Sequence, residues 1–140
     1  MLTVVTGPPA AGKTTYVRSN AKAGDIIIDL DALAVALGSP HSHNHPADIA
    51  TVAQAARTAA IKAAVGTGSS TWLIHTAPDP VQLAAYRAQG ANIVTVDPGP
   101  EVTQGRITAQ RSPETQQVAD RWYSSPGAQA GLAEARKRYG

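Results

Sequence analysis

Eight residues near the start of the chain, Gly7-Pro8-Pro9-Ala10-Ala11-Gly12-Lys13-Thr14, restrict what it can fold into more than any other stretch. They satisfy the spacing G-x-x-x-x-G-K-[ST]. Ahead of them Met1 to Thr6 (MLTVVT) is rich in β-branched residues and reads as a buried parallel strand. Behind them Lys13 to Ala23 has a helical pattern, which Gly24 closes. Strand, glycine loop and helix in direct succession commit the first strand to a parallel sheet whose carboxyl edge carries the loop.

The remaining pattern extends that sheet. Ile26-Ile27-Ile28 is a continuous apolar run between Asp25 and Asp29, too short for a helix, and is expected to be a second buried strand. Leu30 to Leu37 predicts a short helix stopped at Gly38-Ser39-Pro40, and His41 to Pro46 (HSHNHP) a polar loop. Ile49, Val52, Ala56, Ala59 and Ala63 recur at three- and four-residue steps, so a helix is expected to about Val65, ended by Gly66-Thr67-Gly68. Thr71 to His75 and Asn92 to Val96 read as the third and fourth strands, separated by a helix from Pro80 to Gln89. Alternation of this kind indicates a parallel sheet with helices on both faces. After Pro98 no strand is expected. Helices are predicted over Glu101–Gln110, Glu114–Tyr123 and, with a basic end, Ala128–Tyr139.

Composition closes several function classes. The 140 residues suit one domain spanning 1–140, without linker or internal repeat. With no cysteine there is no disulfide-linked partner, thiolate metal site or thiol nucleophile. No apolar run approaches the roughly 20 residues of a membrane span, so no membrane partner and a cytoplasmic location are expected. Twelve Lys and Arg against ten Asp and Glu give only +2, which alone does not argue for nucleic acid. The scarcity of aromatics and the wealth of alanine imply closely packed helices.

Chemistry is expected at the glycine loop. The loop within residues Gly7 to Thr15 can turn its backbone N–H groups, which Pro8 and Pro9 lack, toward a β-phosphate, and the positive end of the following helix faces the same anion. Lys13 adds a mobile charge for the β- and γ-phosphates, and the Thr14 hydroxyl can ligate Mg²⁺. The expected ligand is MgATP or MgGTP. Asp29 and Asp31 follow the second strand at the edge that faces the crevice. Asp29 is a candidate metal ligand or helix cap, and Asp31 a candidate base for an attacking hydroxyl. The third strand ends in His75-Thr76 without an acidic residue, which argues against motor, helicase and AAA-type ATPases and leaves small phosphotransferases. His75 is a candidate contact to the acceptor. Arg106 and Arg111, in a stretch running from Gly105 to Pro113, are candidate lid cations over the phosphates, with the lid at about residues 104–114.

On these residues the chain resembles small P-loop kinases, a group that includes the kinase domain of phage-type polynucleotide 5′-hydroxyl kinases and the shikimate and gluconate kinases. The resemblance covers about Met1 to Tyr123. It implies a three-layer P-loop NTPase fold with a four- or five-stranded parallel sheet, the loop strand central, and a helical lid. It also implies Asp31 as the activator of a 5′-hydroxyl and Arg111, preceded by Arg106, as the lid arginine. Asp97-Pro98 and Asp120-Arg121-Trp122-Tyr123 are similar as well. Asp29-Leu30-Asp31 fits the Asp-x-Asp of shikimate-type kinases equally. Two departures from the polynucleotide kinases are Ala34, where they carry an acceptor-binding Arg, and His75, where their third strand ends near an Asp.

His41, His43 and His45 at two-residue spacing are expected to form a solvated loop, and could also border an acceptor pocket. Arg136-Lys137-Arg138 complements the negative end of the terminal helix, or forms a phosphate-tracking patch. The expected activity is ATP- and Mg²⁺-dependent transfer of the γ-phosphoryl group to a hydroxyl, with a polynucleotide 5′ end the leading acceptor. Nucleosides, nucleotides and small metabolites follow, and a non-catalytic nucleotide-binding module is the rival from another class.

Overall fold

Four short apolar segments pair side by side in one sheet, and every pairing is parallel. The structure, a computed structural model, describes residues 1–110 and 113–124. Its strands are β1 (Leu2–Thr6), β2 (Ile26–Asp29), β3 (Thr71–Ile74) and β4 (Asn92–Thr95). Its helices are α1 (Lys13–Asn20), α2 (Leu30–Ala36), α3 (Ala47–Thr67), α4 (Pro80–Ala88), α5 (Pro100–Gln110) and α6 (Pro113–Tyr123). The strand order is β2-β3-β1-β4, so β1 lies inside the sheet with Val4 opposite both Leu73 and Ile93. No fifth strand occurs among the described residues. None of their helices is long and apolar enough to cross a membrane.

Alternation along β1 divides the core in two, because successive strand side chains point to opposite faces. Leu2 and Val4 join Ile28, Leu73, Ala64 of α3 and Tyr86 of α4 on one face. Val5 joins Ile74, Val94, Val96 and Val17 of α1 on the other. Helices therefore cover both faces, as expected of a three-layer α/β architecture. The alanines do what their number implied: α2 packs on α3, and Ala34 and Ala53 are fully buried.

Several boundaries differ from the sequence expectation for local reasons. Helix α1 stops at Asn20, three residues early, because Ala21 is extended and the Asp25 carboxylate accepts the Lys22 N–H at 2.8 Å, forming a turn. Helix α3 runs through Gly66 to Thr67, since left-handed Gly68 is the residue that caps it. Ile27 is half exposed because β2 is an edge strand, so only Ile28 of the three isoleucines is buried. Gly105 and Arg106 lie within the helix expected over Glu101–Gln110, which begins one residue earlier, at Pro100. Arg111 and the basic helix expected at 128–139, with Arg136, Lys137 and Arg138, lie outside the described residues.

A buried carboxylate ties α5 and α6 to the end of β4. Asp97 is fully buried and accepts from Trp122 Nε1 at 3.1 Å, Tyr123 Oη at 2.8 Å and Gly99 N at 2.9 Å. Tyr123 Oη also lies 3.0 Å from Thr103 Oγ1, which joins both helices to the hub. Burial pushes the Tyr123 phenol above its usual range, so it remains an O–H donor to the carboxylate.

Candidate functional site

The carboxyl ends of all four strands, at Thr6, Asp29, Ile74 and Thr95, open into one cleft of about 1640 Å³. On one side is the glycine loop. Gly7 at φ +146 comes so close to the chain just past β4 that an added Cβ would sit 2.0 Å from the Val96 carbonyl oxygen, and only glycine fits. Gly12, left-handed at φ 98, is the N-cap of α1 and offers no side-chain cap, and the first turn of that helix contains no acid. By contrast, Asp29 caps α2 and Asp79 caps α4 with a full capping box. The first N–H groups of α1 thus face the cleft at a positive helix end, the arrangement that receives an anion.

Lys13 is buried in this loop, and its Nζ donates to the carbonyls of Gly7 at 2.9 Å and Pro8 at 2.6 Å. Its charge therefore lies within the loop rather than in bulk water. Thr14 and Thr15 are exposed on the cleft. Ala10 is left-handed at φ 61, a conformation that costs an L-residue about 1–2 kcal/mol and is often found at functional loops. Its carbonyl accepts from Arg106 Nη1 at 2.9 Å, so α5 delivers a guanidinium to the loop.

Two acids line the same cleft. Asp29 Oδ1 accepts the Asp31 N–H at 3.1 Å, so Asp29 is the cap of α2. Capping does not exhaust it, since each carboxylate oxygen has two lone pairs. Burial, and then the neighbouring Asp31 charge, push the Asp29 carboxyl above its ordinary value, a repulsion that a cation between them would relieve. Asp31 is held by the histidine loop, which is not simply solvated as expected. His43 Nδ1 lies 2.9 Å from Asp31 Oδ2, and His45 Nε2 lies 2.7 Å from Oδ1. Between them Asn44 is left-handed at φ 56, a turn that asparagine tolerates.

The far wall rises from α3 and α4. Helix α3 has 21 residues, about 31 Å by helix rise, whereas the strands span only about 13–17 Å. Ala60, Ile61 and Ala64 pack on the core, while Gln54 and Arg57, nearer the start of the helix, line the cleft. His75 sits just past the end of β3, buried, with Nδ1 2.9 Å from Tyr86 Oη and the two rings edge to face. Burial, followed by the Arg57 charge, pushes the His75 imidazole down to about 4, so it is neutral at pH 7. An unfolded histidine titrates near its ordinary 6.5, so this contribution to stability is complete above that pH and is lost as pH falls toward 4. Between pH 7 and 4.5 wild type should lose roughly 2 kcal/mol through His75, a loss absent in His75→Asn. Chemical denaturation of both proteins at pH 7 and pH 4.5 checks this.

The sites expected from sequence thus converge for Gly7 to Thr15, Asp29, Asp31, His75 and Arg106, all around one cleft or its loop. Compared with protein-family models and with curated proteins, the chain matches none. Among the described residues no group of three or more His, Asp or Glu side chains is placed to hold a metal by itself. Sequence reasoning missed the bonds from His43 and His45 to Asp31, and the cleft positions of Arg57, Arg87 and Arg121. The alternating histidines beside Asn44 were the one available signal, and it became specific only once the loop was seen folded over α2.

Proposed function

We propose that the protein is a P-loop phosphotransferase that moves the γ-phosphoryl group of MgATP to a hydroxyl acceptor. The observation that carries this proposal is the placement of the uncapped glycine loop and the Asp31 carboxylate on the same cleft. Support for the fold comes from the loop strand β1 lying between β3 and β4 with helices on both faces. GTP fits the same phosphate contacts.

Each residue has a physical task. The loop N–H groups and Lys13 bind the phosphate tail and neutralise charge that builds on its oxygens. Arg106 adds a second cation from α5, and Arg111 is the further lid arginine. Thr14 Oγ1 and an Asp29 carboxylate oxygen are hard oxygen donors suited to Mg²⁺, which takes few protein ligands beside phosphate oxygens. Bound there, the ion supplies further charge neutralisation. Asp31 orients the acceptor hydroxyl and takes its proton, while His75 at the β3 end contacts the acceptor as a neutral imidazole.

A polynucleotide 5′-hydroxyl is the leading acceptor, supported by the cations Arg57 and Arg87 on the α3 and α4 wall. A nucleoside, nucleotide or small metabolite is the second reading. It is favoured by Ala34, which is fully buried where the polynucleotide kinases place an acceptor-binding arginine. Incubation with γ-labelled ATP and 5′-hydroxyl oligonucleotides, nucleosides and sugars tests both. Label is expected on the oligonucleotide. ATP binding with no label on any acceptor would identify a non-catalytic nucleotide-binding module.

A further inference from the structure

We propose that Ser39 and His45 are positioning residues, a strut that fixes the Asp31 carboxylate, so that the loop between α2 and α3 belongs to the working site. This rests on the phosphotransferase function above. The strut begins at the far end of the helix that carries Asp31. Gly38 is left-handed at φ 111, Gly38 N donates to Val35 O at 3.0 Å, and Ser39 N donates to Ala34 O at 3.0 Å. That pair of bonds is a Schellman cap, and it fixes where Ser39 stands. Ser39 is buried, and its Oγ lies 2.7 Å from His45 Nδ1. His45 Nε2 then lies 2.7 Å from Asp31 Oδ1, back in the first turn of α2. Both ends of the brace are thus set by one helix.

Its chemistry is directional. An ionised carboxylate can only accept, so His45 presents Nε2–H to Asp31 whichever way the Ser39 hydroxyl points. The His45 side chain is 7 % exposed, whereas that of Asp31 is 43 % exposed to the cleft. Water could satisfy such a carboxylate, so the imidazole is not needed to make it soluble. What water cannot do is hold it still, because the terminal torsion of an aspartate is broad. With His45 on one oxygen and His43 on the other, the carboxylate plane is fixed. In phosphoryl transfer, where most of the work is positioning, that restraint acts directly on rate.

The experiment compares His45→Asn with His45→Gln in steady-state transfer of γ-labelled phosphate to the acceptor identified above. Asparagine places its amide near Nδ1 and loses the reach to Asp31, whereas glutamine places its amide nitrogen near Nε2. His45→Asn is expected to lower kcat on the order of 10- to 100-fold with KM for ATP unchanged. His45→Gln should recover to within about threefold of wild type, and His45→Asn should add no loss to Asp31→Asn. Thermal midpoints of all variants should stay together. Wild-type transfer with His45→Asn within about threefold of it would overturn the strut alone. So would a loss that persists in the Asp31→Asn background, or one shared by His45→Gln with a fallen midpoint. No transfer by wild type to any acceptor would overturn the phosphotransferase function itself, and the positioning role with it.

Discussion

Asp31→Asn should reduce phosphoryl transfer roughly 10³-fold while leaving MgATP affinity within about twofold of wild type, consistent with the loss of one general base. The separation follows from geometry. Asp31 lies in the first turn of α2 and bonds to His43 and His45, whereas the proposed nucleotide contacts are those of the glycine loop and α1. Asparagine keeps the size of the side chain but turns one acceptor into a donor, facing an imidazole N–H that needs an acceptor. The proton of the acceptor hydroxyl then has no carboxylate to receive it. Single-turnover transfer and equilibrium titration with MgATP, run on the same preparation, check the two halves. Equal loss of affinity and rate would mean that Asp31 shapes the nucleotide site rather than the acceptor step.

Asp97→Ala is expected to be strongly destabilising although it lies away from the cleft. The carboxylate receives three hydrogen bonds in full burial, and its removal leaves Trp122 Nε1 and Tyr123 Oη without that acceptor. Each buried donor left unsatisfied costs about 1–3 kcal/mol, so the loss is a large part of the 5–15 kcal/mol typical of a domain. Asp97→Asn keeps one oxygen and should cost less. Because Trp122 is one of only two tryptophans, denaturant unfolding followed by fluorescence measures the loss directly. A shift below about 1 kcal/mol would mean that α5 and α6 are held to the sheet by apolar packing rather than by this carboxylate.

Legibility followed the range of the interactions. Pro80, the β-branched run of β1 and the apolar run of β3 are local signals, and each gave its element nearly to the residue. Helix α1 ended early because Asp25 reaches back to Lys22, a side-chain turn that a count of apolar positions does not contain. Ile27 was misjudged because an isoleucine run does not say which strand lies at the edge. His45 is the clearest case. Fourteen residues separate it from Asp31, and only the cap at Gly38, the turn at Asn44 and the packing of α2 on α3 together bring the two side chains to 2.7 Å. Arg57 became visible for a similar reason, through the excess length of α3 over the sheet.

The strand order bears on how the chain matures. β1 comes first in sequence, yet its two neighbours are β3, starting at Thr71, and β4, starting at Asn92. Sequence-distant parallel pairings of this kind form slowly, because a long loop must close before any contact rewards it. On a ribosome the glycine loop would therefore be made early but would remain without a frame until the second half of the protein had emerged. With the glycine loop binding nucleotide as proposed, that competence should arrive late and all at once, and a bound nucleotide would favour the finished sheet over any partly assembled one.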